Sequence, residues 1–509
     1  MPVVSQVRKG AYFDSVTLMR VGRELAALPG VDDAAAVMGT QSNRAILSAA
    51  RLLTASAGSA ADTDLILAVR AGKPAAAQAA LEKAEALLKD AGRRSAAAGE
   101  PEPADLDAAL QALPGARLAL ISVAGRYAGA EAMKALERGL HVMLFSDNVP
   151  IETEIALKTF ARRRGLLVMG PDCGTAIING VPLAFANVVR RGGIGVVAAA
   201  GTGLQEVSCL ISHAGAGLSQ AIGTGGRDVK KAVGGVMFIE GLKALLADRD
   251  TKVILLISKP PDPVVAARIA ALVRRARKPV VSLLLGARGA KAGPRTLEEA
   301  AAISVALANG RPAEQALREL AARDARAIPD AARREAARLR KPRRFVRGLF
   351  SGGTFCAEAQ LILEDRVAPL YSNAPVGRAK PLSDALRSRA HTVVDLGEDA
   401  FTVGRPHPMI DYSLRNRRIA QEAADPETAV ILLDVVLGYG SHPDPAAEIG
   451  PVLRAARRKA AVVCSVTGTD ADPQHRGRVA RALQRAGAIV MPSNAAACRL
   501  AAEIAGRLG

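Results

Sequence analysis

The chain has 509 residues, enough for about three or four domains of ordinary size. Half of the residues are apolar, only 3% are aromatic and Trp is absent, so the cores must be closely packed Ala, Val and Leu, as where helices lie on parallel sheets. The formal charge of +19 would suit a polyanion, but the basic residues are spread along the chain, lack a nucleic-acid-binding motif and have few aromatics on which bases could stack. They read as a solvated, Arg-rich surface whose positive field would also favour small anions, with no nucleic-acid partner expected.

The five cysteines, Cys173, Cys209, Cys356, Cys464 and Cys498, lie far apart and show neither metal-ligand spacing nor a disulfide framework. Residues 1–10 lack the apolar core of a signal peptide, and the longest apolar runs, such as 429–433 and 280–285, have strand length. The expected setting is a reducing cytoplasm, with no membrane partner and no metal.

Along the chain, strands are expected at 3–7, 34–38 and 64–69 and helices at 14–27, 43–53 and 75–88, a small N-terminal α/β module over 1–90. Residues 91–105, rich in Arg, Ala, Glu and Pro, read as a linker. Strands then follow at 118–123, 141–145 and 166–169, separated by helices at 130–138 and 152–163, a partial Rossmann-like domain over 106–190. The strands 195–199, 218–222, 253–257 and 280–285 define a further domain over 191–311, and the Ala-, Arg- and Glu-rich stretch 312–342 a helical connector. Strands at 347–350, 393–395, 430–434, 461–466 and 489–491 build the last domain, 343–509. The fold class is therefore α/β: several three-layer, parallel-sheet domains of Rossmann-like or flavodoxin-like type with right-handed crossovers, preceded by the small module. The run Gly348–Thr354 echoes Gly195–Thr202, which suggests an internal duplication.

In open parallel sheets ligands collect beyond the carboxyl ends of the strands, so the turns there carry the chemistry. After 166–169 comes Gly170-Pro171-Asp172-Cys173-Gly174, after 195–199 comes Gly201-Thr202-Gly203, and after 218–222 comes Gly223-Thr224-Gly225-Gly226-Arg227-Asp228. A Gly-rich turn is often only a tight turn. Three in consecutive strand–helix units favour a site for phosphate, thioester or carboxylate, because glycine lets backbone N–H groups approach an anion at a helix N-terminus. Gly352-Gly353-Thr354 offers the same chemistry in the last domain. No Walker A lysine motif and no Gly-x-Gly-x-x-Gly occurs in these turns. A second grouping, Gly404-Arg405-Pro406-His407-Pro408-Met409-Ile410-Asp411, reads two ways. Arg405, His407 and Asp411 could share one loop, with Arg405 as anion binder and His407 as proton or phosphoryl carrier, or the stretch could be a Pro-stiffened surface loop with His407 as filler.

The run 142–188, with Phe-Ser-Asp-Asn-Val-Pro (145–150) and Met-Gly-Pro-Asp-Cys-Gly (169–174), resembles the later half of the CoA-binding domain of succinyl-CoA synthetase α subunits. The run 195–228 is similar to the ligase domain that follows it there, and 350–440 to the ligase domain of the β subunit. Together with Gly-Ala-Tyr-Phe-Asp-Ser-Val-Thr-Leu-Met (10–19), residues 404–411 and Val-Thr-Gly-Thr-Asp (466–470), the whole chain most resembles the FdrA family of acyl-CoA-synthetase-like proteins. That resemblance implies a succinyl-CoA-synthetase-like fold, CoA or an acyl or carbamoyl phosphate as ligand, and homo- or hetero-oligomeric partner subunits.

The chain departs from the relay of the synthetases. The loop that carries their phosphohistidine corresponds to 286–295, which has no histidine, and the glutamate that steadies it is replaced by Ser258-Lys259-Pro260-Pro261. His213 lies two strands too early, in a helix end, and reads as structural; His442 and His475 read as surface residues. Three functions follow from the resemblance: a CoA-ligase-like enzyme or subunit, a subunit of an oxamate carbamoyltransferase in purine-nitrogen catabolism, and a non-catalytic scaffold of such a complex.

Overall fold

The computed structural model describes residues 2–11, 13, 15–96, 103, 105–286, 293–402 and 406–508. The chain forms two compact units, Met1–Arg117 with Asp399–His407, and Leu118–Glu398 with Pro408–Gly509.

The first unit is organised around the strand Leu65–Ala71, which lies between Val3–Arg8 and Val31–Met38 and runs antiparallel to both. Its sequence, LILAVRA, is apolar on both faces because both faces are covered. Leu65, Leu67, Val69 and Ala71 pack with Leu18, Val21, Leu25 and Leu81 from the helices Ser15–Ala26 and Pro74–Ala96. Ile66 and Ala68 meet Leu47, Leu52 and Ala57 on the opposite side. The Pro74–Ala96 helix continues into the stretch expected as a linker, in keeping with the helix propensity of its Ala and Arg residues.

The second unit contains three sheets. Leu118–Ile121, His141–Leu144 and Val168–Met169 form a small parallel sheet. A six-stranded sheet has the order Val280–Leu284, Val253–Ser258, Arg191–Ala199, Leu218–Gly223, Thr175–Ile178, Val181–Ala184. Its first four strands are parallel and its last two form an antiparallel hairpin that the sequence reading missed. The seven-stranded sheet runs Lys380–Pro381, Leu370–Ser372, His391–Asp395, Phe345–Phe350, Thr428–Val436, Ala461–Thr467, Ile489–Met491, parallel throughout. In both large sheets the first strand of the domain, Arg191–Ala199 or Phe345–Phe350, lies inside, flanked on both sides by later strands. That reversal of strand order is the topological switch point at which open α/β sheets form ligand sites.

The Ala313–Arg338 helix is packed against both halves of this unit. It buries Ala316, Ile328, Ala332 and Glu335 and touches the helices Leu297–Ala308 and Asn494–Gly506. Arginines at its end and beyond are paired within the chain. Arg338 pairs with Glu335, Arg344 with Glu427, and Arg347 with Glu422 and Asp425.

A buried ion network fixes the small parallel sheet to the six-stranded one. Lys158 Nζ, wholly buried, donates to Glu154 Oε1 at 2.8 Å, to Asp228 Oδ1 at 2.8 Å and to the carbonyl of Thr224 at 3.0 Å. Asp228 also accepts the N–H groups of Met237 and Phe238, which begin the Val236–Ala247 helix. The Gly223–Asp228 turn is thus held from its carboxylate end. Removing one member of a buried charge set leaves the others uncompensated. Lys158→Met is expected to lower unfolding stability by roughly 3–5 kcal/mol in urea titrations, whereas Lys134→Met, at an exposed pair with Glu131, should change it by less than about 1 kcal/mol.

Candidate functional site

Two of the Gly-rich turns meet. The helix Gly201–His213 leaves the switch-point strand of the six-stranded sheet, and the helix Gly353–Leu363 leaves that of the seven-stranded sheet. Their first turns pack face to face. A Cβ on Gly203 would come 2.9 Å from Thr354 Cγ2, and one on Gly352 would come 2.7 Å from Thr202 Oγ1. Only glycine fits at either point. Neither helix has a side-chain N-cap, unlike Leu297–Ala308 and Asn494–Gly506, whose caps are Thr296 and Ser493. The intrahelical bonds begin with the N–H groups of Leu204 and Cys356, so the N–H groups of 201–203 and 353–355 have no partner within their own helices. Each helix start adds positive potential at its own N–H groups, which favours negative charge nearby.

The second turn is held from beneath. Asp434, fully buried at the end of its strand, accepts the N–H groups of Ser351 at 2.8 Å and Gly352 at 2.9 Å and the hydroxyl of Ser351 at 2.8 Å. The guanidinium of buried Arg415 compensates the carboxylate at 2.5 Å and also donates to the carbonyl of Leu349 at 3.2 Å.

Two charged side chains border the helix starts. From the position a Cβ would take on Gly353, Asp395 Oδ2 is 2.6 Å away and Lys259 Nζ 3.4 Å. Asp395 ends the strand paired with Phe345–Phe350, opposite Phe350, and Lys259 directly follows the strand that places Ser258 opposite Ala199. Burial drives the Asp395 carboxyl up to about 7 against the pull of Lys259. Lys259 lies in the segment Ser258-Lys259-Pro260-Pro261, where the resemblance to the synthetases places a glutamate.

Behind the turns the two halves exchange carboxylates. Glu206 accepts the N–H of Asn494 at 3.1 Å and the Thr467 hydroxyl. Glu358, in the corresponding place on the other helix, accepts the N–H of Leu297 at 2.6 Å and the Asn494 amide at 2.7 Å. Each glutamate therefore supports the first turn of a helix from the opposite half. Gly201-Thr202 with Glu206 and Gly353-Thr354 with Glu358 share one spacing, the sequence signal by which this pair could have been found. Burial raises both carboxyls, Glu358 to about 7.

The other predicted turns are brought together separately. A Cβ on Gly170 would meet the Leu144 carbonyl at 2.2 Å, one on Gly223 the Thr175 carbonyl at 2.3 Å and Cys173 Sγ at 2.7 Å, and one on Gly225 the Pro171 carbonyl at 2.3 Å. Backbone packing between the two turns explains these glycines, while Gly226 has open space around it. Asp172, with φ of 54°, donates its N–H to the Ser146 carbonyl. The Cys173 thiol is buried and pushed up to about 12 by desolvation, which leaves it little thiolate character.

Arg405 and Gly404 lie outside the described residues. His407 belongs to the first unit and Asp411 to the second, where Asp411 accepts the N–H of Ser413 at the start of the Ser413–Ala424 helix. His213 ends its helix, with burial lowering its basicity. His442 is buried rather than at the surface: its Nδ1 accepts the N–H of Asp444 and its ring meets Tyr412 edge-on. His475 is at the N-cap of the Arg476–Arg485 helix, its ring bonded to the Asp470 carbonyl.

Residues 349–504 match the model of the CoA-ligase family, and residues 1–104 match that of the AllF heavy metal-associated domain. Over 515 aligned residues the chain is 39% identical to the protein YahF of Escherichia coli (strain K12), covering 99% of this chain and 98% of that one. It belongs to the YahF family, whose C-terminal part here is a CoA-ligase domain. The mitochondrial succinate–CoA ligase [ADP-forming] subunit alpha-2 of Trichomonas vaginalis is 29% identical over 180 residues, 34% of this chain and 57% of its own length. The corresponding α subunit of Staphylococcus epidermidis (strain ATCC 35984) is 25% identical over 194 residues, 37% of this chain and 63% of its own. The chain thus spans about three-fifths of these ligase subunits. Residues 1–104 contain neither Cys nor His, so that stretch offers a heavy metal no thiolate or imidazole. No helix among the described residues is long and apolar enough to cross a membrane.

The exchanged carboxylates make a pH-dependent prediction. A carboxyl whose folded pKa is raised stabilises the fold below its unfolded value, about 4.3 for Glu, and loses that contribution as pH rises through the folded value. For Glu358 the window runs from there to about 7. Urea titrations should show unfolding free energy falling across this window, and Glu358→Gln should reduce the fall by roughly 1–3 kcal/mol.

Proposed function

We propose that the chain is an FdrA-type, CoA-ligase-like enzyme subunit that binds an acyl phosphate or CoA thioester between the helix starts 201–203 and 353–355. The face-to-face meeting of two uncapped helix N-termini carries this reading. Three N–H groups from each turn can receive the oxygens of a phosphoryl group or of a carbonyl gaining negative charge, in a setting fixed before the ligand arrives. Lys259 adds a point charge. The CoA-ligase match over 349–504 and the likeness to succinate–CoA ligase α subunits support the same chemistry.

A second reading keeps the site and changes the acyl group. The residues 286–295 contain no histidine, and Ser258-Lys259-Pro260-Pro261 stand where the phosphohistidine-steadying glutamate is expected. Transfer of a carbamoyl group between phosphate and an amide nitrogen requires no phosphoenzyme. Carbamoyl phosphate is a mixed anhydride like an acyl phosphate, so oxamate carbamoyl transfer within a complex with partner subunits fits these replacements. A scaffold role would leave the site binding ligand without turning it over.

Thermal unfolding with CoA, acetyl phosphate, carbamoyl phosphate and oxamate tests the site and separates the first two readings by ligand. A ligand at a hundred times its Kd should stabilise the native state by about 2.7 kcal/mol. The expected outcome is stabilisation by at least one of the two anhydrides, with affinity reduced about tenfold in Lys259→Gln, about 1.4 kcal/mol. No shift with any of the four would contradict the assignment.

A further inference from the structure

Asp395 is the one carboxylate bordering the paired helix starts that the anion-binding account leaves without a role, and its surroundings give it one. Its residue is 3% exposed. Oδ1 accepts the N–H of Gly397 at 2.9 Å, while Oδ2 receives no hydrogen bond among the described residues and lies against Gly353. The main chain on either side is clamped by Asn373, whose amide donates to the Asp395 carbonyl and accepts its N–H, both at 2.9 Å. The carboxyl is therefore fixed in direction, with one oxygen held and the other aimed at the first residue of the Gly353–Leu363 helix.

The charged and titratable groups around it are Lys259 beyond the Val253–Ser258 strand, Asp434 at the end of the Thr428–Val436 strand, Glu398 in the following turn and Cys356 on the facing helix. Lys259 is the only cation among them, and among the described residues it interacts with Asp395 without closing to an ion pair. An ionised Asp395 would repel an anion at the helix starts. A protonated one turns the same oxygen, beside Gly353, into a hydrogen-bond donor available to that anion.

We propose that Asp395 is the proton-bearing residue of this site: an anion seated at 201–203 and 353–355 is held by Lys259 and by the Oδ2–H of Asp395, so anion binding draws one proton onto the carboxyl. This rests on the anion-site reading above and adds what that reading lacks, a group that can hand a proton to, or take one from, the bound oxygen. Burial, which holds the free carboxyl near neutrality, makes the uptake observable: the bound anion raises its proton affinity further, so protons are taken up at pH values just above the free value of about 7.

The test is calorimetric titration of the full chain with inorganic phosphate at pH 7–8, in two buffers of different ionisation enthalpy, which counts protons exchanged per phosphate bound. Sulfate, which has no titrating proton at pH 7–8, is run alongside phosphate so that the count reports the protein's own proton. The wild type should take up as much as one proton more than Asp395→Asn, while the variant still binds phosphate with an affinity that depends less on pH. Asp395→Ser serves the same comparison if the amide variant melts early. Equal proton counts in wild type and variant would overturn the role of Asp395 and leave the anion site standing. Failure of the wild type to bind phosphate would overturn both.

Discussion

The arrangement depends on a close approach that ordinary side chains forbid. Two helix N-termini face each other because positions 203 and 352 have no Cβ, and a methyl group at either would collide with the threonine of the opposite turn. Bringing two positive dipole ends together is unfavourable by itself. The protein answers with carboxylates placed behind the turns: Asp434 beneath one, and Glu206 and Glu358 exchanged between the halves. In the proposed reading, an anion in front of the N–H groups completes the electrostatics, and stability and binding then come from the same constraint.

The two halves are joined near this point by further buried polar contacts. Asp472 accepts the Asn187 amide at 2.8 Å and the N–H groups of Val188 and Thr469 at 2.7 Å each, while Thr469 Oγ1 donates to the Val188 carbonyl at 2.6 Å. The segment that enters the six-stranded sheet is therefore fastened to the loop 466–472 of the seven-stranded half. Polar networks of this kind are costly when partly broken, which ties the relative placement of the two turns to the integrity of the whole unit.

Much of the fold was legible because its strands are short apolar runs bounded by Gly and Pro and separated by helix-length stretches. Val253–Ser258 and Thr428–Val436, buried at every position, could hardly be read otherwise. The Thr175–Ala184 hairpin was missed although Asn179-Gly180 marks it: φ values of 52° and 82° at these residues suit a two-residue hairpin turn. The site was only half legible. Glycines at 201, 203, 352 and 353 stood out, but their mutual contact joins residues far apart in the chain, and so do Lys259 with Asp395 and Glu206 with Asn494. Glycines at 170, 223 and 225 carried the same composition signal for a different reason, since other backbone occupies the space their side chains would need. Composition marks where a chain comes close to something; it does not say whether that is a ligand or the protein itself.

The central claim is that an anion belongs between the two helix starts. Crystals of the full chain soaked in tungstate, an electron-dense tetrahedral dianion, would test it by anomalous scattering. The account predicts a peak within hydrogen-bond distance of the N–H groups of 201–203 and 353–355, with Lys259 Nζ turned toward it. Peaks only at the Gly170–Cys173 turn or at surface arginines, with the space between the helix starts empty, would contradict it.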